Sequence, residues 1–241
     1  MAVQTVSLRG PDHPRLGAIS ACGIGSVGLA ISAGQIADPA AHLDPNEDAL
    51  LAAVGPGGAF VGVIDGCGGF DAAAAALQEL DAAAPSLVDR PAGGPALLER
   101  VDAVRRRAGG VRREDARAHA SSASFSLVLF DGDAGFACTR GDTGVALLGP
   151  PTTVVSGVVP HLDHAAPPAP LQQFELSAGR RLLLASDGFF DALGPQWVPE
   201  ARAAGALDPT AAARRLVSVA CREGADDNVS VAVADVQQPR I

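Results

Sequence analysis

Apolar residues in this chain fall in short runs broken by glycine, aspartate and proline. Runs of that length bounded by turn residues read as strands, and longer runs with a recurring apolar stripe read as helices. Residues 27–36 and 59–64 read as strands. Asp71 is placed to cap a helix over 72–84, which Pro85 stops. A second helix begins near Pro95 and presents Leu97, Val101 and Val104 on one face. Strand-like runs follow at 124–130, 135–139 and 145–148, the first two joined as a hairpin through Asp131-Gly132-Asp133. Pro150-Pro151 and residues 160–170 read as loop, and residues 182–185 as a further strand. Asp208-Pro209 starts a late helix, with Asp at the cap and Pro in the first turn; it ends at Gly224. Residues 229–236 close the chain as an alternating strand. The order is strands, two helices, strands, a late helix and a last strand, with no internal repeat.

Composition narrows the frame. A chain of 241 residues, 48% of them hydrophobic, can bury a substantial core, so one domain, or at most two small ones, is expected; the reading adopted is a single domain over 1–241, with residues 1–25 as a peripheral N-terminal extension. Aromatics are 4% and tyrosine is absent, so the core rests on Val, Leu, Ile and Ala. The net charge of −9 argues against a nucleic-acid partner held by bulk electrostatics. Cys22, Cys67, Cys138 and Cys221 form no CxxC pair and no zinc spacing, which suits reduced thiols in a cytoplasmic protein. The apolar stretch 18–34 is interrupted by Gly23, Gly25, Gly28, Ser20, Ser26 and Ser32. It therefore suits early strands better than a membrane helix, with a signal peptide as the alternative. No membrane partner is expected, and a monomer is.

Four acidic motifs punctuate the chain: Asn46-Glu47-Asp48, Asp65-Gly66-Cys67-Gly68-Gly69, Ser186-Asp187-Gly188 and Asp227-Asn228. Two of them follow apolar strand runs. A carboxylate at the end of a buried strand is held rigidly and is costly to desolvate unless a cation or hydrogen bonds compensate it. Several of them converging is what Mg²⁺ or Mn²⁺ requires, since hard cations take oxygen ligands.

With Arg140-Gly141-Asp142-Thr143-Gly144 between the second and third motifs, the order resembles the metal-dependent protein phosphatases, the PPM family of type 2C serine/threonine phosphatases, in a divergent bacterial form. The resemblance runs from about Val27 to Val236. It implies an α+β fold: a four-layer α-β-β-α sandwich of two mainly antiparallel sheets flanked by helices. It implies two Mn²⁺ or Mg²⁺ ions and a weaker third. Asp65 bridges the first two, Gly66 adds its carbonyl, Asp187 and Asp227 complete the first ion, and Glu47 with Asp48 serves the second. Asp142 and Asp191 match acidic positions around the third. Asp65, Asp187 and Asp227 are then the catalytic carboxylates, and His42 and Asn228 the candidate substrate contacts, Asn228 also steadying Asp227. The implied reaction is hydrolysis of phosphoserine or phosphothreonine in a protein partner by metal-activated water, with no phosphoenzyme, so Cys67 is not a nucleophile.

Three positions depart from the family pattern. Leu43 stands where an Arg usually grips substrate phosphate, beside His42. Cys67 and Phe70 stand where a His is common. The segment between Asp142 and Asp187 is short and lacks a flap. Two alternatives follow: a metal-binding module that recognises a phosphoprotein without turning it over, and a phosphatase of a small phosphorylated metabolite. His161-Leu162-Asp163-His164 and the arginines Arg105-Arg106-Arg107 and Arg112-Arg113 read as solvated polar groups, and Phe189-Phe190 and Trp197 as packing residues.

Overall fold

Strands that carry apolar side chains on both faces must be covered on both faces. In the computed structural model that requirement produces two sheets packed face to face with helices outside each. The structure describes residues 2–37, 42–108, 121–131, 134–157, 170–176 and 179–236. The first sheet runs in the order β1 (Gln4–Arg9), β4 (Ala49–Gly55), β5 (Gly58–Cys67), β6 (Ser122–Asp131), β7 (Ala134–Arg140) and β10 (Gln172–Glu175). The second has the order β2 (Ser20–Ile24), β3 (Val27–Ser32), β12 (Val229–Asp235), β11 (Arg181–Ala185), β8 (Gly144–Leu148) and β9 (Thr153–Gly157). Every pairing among these strands is antiparallel.

Three apolar layers separate four layers of structure, as the α+β sandwich requires. Between the sheets lie Leu29, Ile31, Leu50, Val61, Val63, Val128, Leu182 and Leu184. Outside the first sheet, Leu51, Phe60, Ile64 and Phe125 pack on α1 (Asp71–Asp89) and α2 (Gly93–Ala108). Outside the second, Leu183, Val231 and Val233 meet α3 (Asp187–Leu193), α4 (Trp197–Ala203) and α5 (Pro209–Arg222). Phe190 packs edge-on against Phe189 and Trp197, as packing residues should.

Several expected boundaries move. Within the expected N-terminal extension, residues 4–24 supply β1 to an edge of the first sheet and β2 to an edge of the second. The strand expected over 27–36 stops at Ser32. The first helix runs through Pro85 to Asp89, with Phe70 rather than Asp71 at its cap. Proline in a helix interior removes one backbone donor. Here Ser86 donates its hydroxyl to the Ala83 carbonyl at 2.7 Å, and burial of Ala84, Leu87 and Val88 holds the last turn down. The β6–β7 hairpin forms, with Asp131 opposite Ala134; the expected turn residues Gly132 and Asp133 lie outside the described residues. Leu97, Val101 and Val104 form the buried face of α2.

Asp208 caps α5 as expected, its carboxylate accepting from the Thr210 and Ala211 amides at 3.0 Å each. Replacing it with Ala should cost about 1 kcal/mol, seen as a lower urea midpoint at unchanged slope. An unchanged midpoint would remove the cap from the account of this helix.

Candidate metal centre

Strand alternation aims the first group of carboxylates. On β5, Phe60 and Ile64 face the outer helices, while Val61 and Val63 face the other sheet. Asp65 continues the second set and so points between the sheets. Asp48 does the same one residue ahead of β4, where Leu50 and Ala52 also face inward. The opposite sheet brings two more. Asp187 opens α3 directly after β11, and Asp227 stands just before β12. Ser186 ties those two ends together: its amide donates to the Ser230 carbonyl at 3.0 Å, and its hydroxyl accepts from the Ser230 amide at 2.9 Å. Asp142 arrives from the turn between β7 and β8. The centre therefore sits at one end of the sandwich, where strand ends of both sheets meet.

Close backbone approach at one point and positive φ at two others demand glycine here. A side chain at Gly66 would stand 2.3 Å from the Glu47 carbonyl. Gly68 and Gly69 have φ of 73° and 106°, which turns the chain from β5 into α1.

Asp65, Asp142 and Asp187 each place a carboxylate oxygen within 4.8 Å of the others. Asp48, Asp65 and Asp142 are buried together with Glu47. Burial pushes the Asp48 and Asp65 carboxyls well above their ordinary range. At Asp48 the Ser230 and Ser186 hydroxyls pull the other way, while Asp227 and Asp187 raise it further. At Asp65 the neighbouring charges of Asp187, Asp48, Asp227 and Asp142 add to burial. Asp187 is pushed up to about 7, chiefly by burial, then by Asp227 and Asp142, against a hydrogen bond with Asp65; Asp191 adds to the rise.

The loop ahead of β4 is pinned from several directions. Glu47 Oε1 accepts from the Leu43 and Asp44 amides at 2.7 and 2.9 Å. The Glu47 amide donates to Asn228 Oδ1 at 2.6 Å, and Asn228 Nδ2 donates to the Pro45 carbonyl at 3.3 Å. Asp44 Oδ2 accepts from the Phe70 amide at 2.8 Å. Asn46 is fully buried, and its Oδ1 accepts from the Asp48 amide at 3.2 Å.

Glu47 Oε2, Asp48 Oδ2, Asp65 Oδ2 and Asp142 Oδ1 are buried with no hydrogen-bond partner among the described residues. Orphaned carboxylate oxygens concentrated in one place are the donor set of a hard divalent cation, so these residues fit Mn²⁺ or Mg²⁺. His42 meets the cluster with Nε2 at 3.1 Å from Asp227 Oδ1. That hydrogen bond is the main reason its pKa rises to about 9, against the opposing effect of burial.

The structure thus gathers Asp48, Asp65, Asp142, Asp187 and Asp227 into one electrostatic unit and seats Glu47 and Gly66 beside it. Asp191 is exposed, one helical turn beyond Asp187. Two expected contacts take different places. His42 faces Asp227. Asn228 is 3% exposed and its side chain is engaged with Glu47 and Pro45, so it positions the first motif rather than reaching outward; only its backbone amide meets Asp227, at 2.6 Å. Arg105 and Arg107 pair with Asp102 and Glu79 at the surface of the helical layer. The 161–164 segment and Arg112-Arg113 lie outside the described residues. Sequence reasoning missed Asn46 and the Ser186–Ser230 tie, although all three residues sit in or beside the motifs.

No family model matches the chain, and no curated protein matches it. Solved structures do. The Mycobacterium tuberculosis serine/threonine phosphatase PstP/Ppp is 24% identical with a TM-score of 0.65, over 91% of this chain and 99% of that one. The catalytic domain of PstP in complex with two manganese ions gives 24% and 0.65, over 92% and 100%. The PPM Ser-Thr phosphatase MsPP from Mycobacterium smegmatis, in complex with cacodylate, gives 21% and 0.57, over 98% of both chains. The chain has the fold of these phosphatases over most of its length.

Two predictions follow from the geometry. Asn228→Ala leaves the buried Glu47 amide without its acceptor and should destabilise the protein by about 1–3 kcal/mol. It should also weaken Mn²⁺ binding by about 10–100-fold in calorimetry; unaltered affinity would show that the Glu47 loop holds its place without the asparagine. The second concerns pH. Carboxyls with raised pKa bind more protons folded than unfolded, so their contribution is present below the unfolded value and lost as pH rises through the folded one. For Asp187 that window runs from about 4 to about 7, and the raised His42 extends the same trend from 6.5 to about 9. The melting temperature in EDTA should therefore fall between about pH 5 and 8, and Asp65→Asn should flatten the fall. A profile rising over that range would mean the carboxylates are not packed together in solution.

Proposed function

We propose that this chain is a metal-dependent phosphomonoester hydrolase acting on phosphoserine or phosphothreonine in proteins, a single PPM-type unit over residues 1–241 working as a cytoplasmic monomer. The observation that carries the reading is the concentration of orphaned, buried carboxylate oxygens at one end of a sandwich shared with solved serine/threonine phosphatases. Asp65, Asp187 and Asp227, with Glu47, Asp48 and the Gly66 carbonyl, would hold two Mn²⁺ or Mg²⁺ ions, and Asp142 with Asp191 a weaker third. When bound, such a pair lowers the pKa of water and offsets charge on the phosphoryl oxygens.

The chain's own residues do the rest. The Asn228 clamp and the Ser186–Ser230 tie fix the carboxylates before substrate arrives, so no reorganisation is required during the reaction. The contact with Asp227 favours the protonated form of His42 at the acidic end before any cation binds there. Leu43 is 44% exposed, and its amide touches Glu47, so its side chain offers substrate an apolar surface beside the acidic end. Among the described residues no helix is long and apolar enough to cross a membrane.

Leu43 also favours a second reading, a phosphoprotein-binding module without efficient turnover, because an apolar side chain gives a phosphate nothing to bind. A third keeps the chemistry and takes a small phosphorylated metabolite. Phosphate release from a phosphothreonine peptide separates them, measured with Mn²⁺, with EDTA, and with Asp65→Asn plus Mn²⁺. Turnover that needs metal and falls to background in Asp65→Asn is the expected result. Peptide binding without release would turn the reading to the module, and release only from metabolites would turn it to the third. Leu43→Arg should strengthen phosphate binding by about 1.5–3 kcal/mol, read as a lower KM for the peptide. An unchanged KM would place substrate away from this residue.

A further inference from the structure

At the other end of β11 from Asp187 lies a cavity of about 410 Å³ lined by Leu148, Pro150, Ala201, Arg202 and the Arg181–Asp235 pair. β11 rises about 3.3 Å per residue, which sets the cavity more than about 13 Å from the acidic centre. Its one lining carboxylate is already neutralised. Arg181 Nε and Nη2 grip Asp235 at 2.6 and 3.1 Å, and the remaining donors reach the Ala204 and Leu207 carbonyls at 3.0 and 2.8 Å.

Two further guanidiniums meet the 149–152 loop beside this cavity, Arg202 in its lining and Arg180 next to the lining residues Gly149 and Gly179, neither with a carboxylate partner among the described residues. Arg202 is exposed, and among the described residues its Nε and Nη2 reach only the Thr152 hydroxyl, at 3.3 and 3.2 Å. Arg180 Nη2 reaches the adjacent Pro151 carbonyl at 3.4 Å, while its Nε is buried with no acceptor among the described residues. Arg180 lies flat over Gly149, where a side chain would stand 2.8 Å from Nε. The contacts of Arg180 and Arg202 fall on the consecutive residues Pro151 and Thr152, so two cations with no carboxylate partner among the described residues are held near each other and repel, in a chain whose net charge is −9. An anion between them removes the repulsion. A carboxylate would be used up by one guanidinium fork. A phosphate has the oxygens and the charge for two.

We propose that this cavity binds a small phosphate-bearing ligand, clamped between Arg180 and Arg202 with its organic part against Leu148, Pro150 and Ala201. The site is separate from the metal centre and independent of any turnover there.

Calorimetric titration with inorganic phosphate and pyrophosphate, in EDTA at constant ionic strength, tests it. Without cations the acidic centre repels anions, so saturable binding reports this cavity. One site per chain is expected, retained in Asp65→Asn and in Arg106→Ala. It should weaken at least tenfold in Arg202→Ala and in Arg180→Ala, with Arg202→Lys intermediate. Arg202 is exposed, so its loss leaves the fold intact, which circular dichroism checks. Absence of saturable binding, binding that survives both alanine variants, or binding abolished by Asp65→Asn would each overturn the proposal.

Discussion

Carboxylates do not leave water willingly, and this protein buries several of them within reach of one another. Everything near the acidic end answers that cost. The Asn46 side chain accepts from the Asp48 amide, two amides grip one oxygen of Glu47, and His42 leans on Asp227. These partners cover only part of the oxygens. The four left without a partner mark where a cation belongs more sharply than distance alone, because each is a desolvated acceptor with nothing to accept from.

The sandwich explains how such a cluster is reached. A single sheet cannot gather these groups, since its strand ends spread along one edge. Two sheets packed face to face bring the ends of β4 and β5 against those of β11 and β12, and alternation decides which side chain enters the gap. The three apolar layers resist the repulsion that the acidic end exerts. The chain keeps those layers tight with alanine and leucine where larger aromatics are scarce.

Much of this was legible in the residues. The runs that became β5, β6, β11 and β12 stand between turn residues, and the order of the acidic motifs was enough to expect one centre. What escaped has physical reasons. β4 is buried on both faces, so its Ala-Leu-Leu-Ala-Ala-Val run shows no alternation. α3 is short and follows a motif, so its helical period has too few residues to register. Pro85 looked like a stop because local rules carry no knowledge of the packing that holds the last turn. The role of Asn228 depends on a partner 181 residues away, and the approach of Arg180 and Arg202 to Pro151 and Thr152 on distant segments meeting, neither of which leaves a trace in local spacing.

The hydrogen bond from the Glu47 amide to Asn228 joins the first acidic motif to the last. A ribosome emits the chain in order, so β4 and β5 emerge long before β12 exists. Until that strand closes the second sheet, Glu47 lacks its tether and the cluster lacks Asp227. A chain halted short of residue 229 thus carries the acidic motifs without the strand that positions the last of them against Glu47.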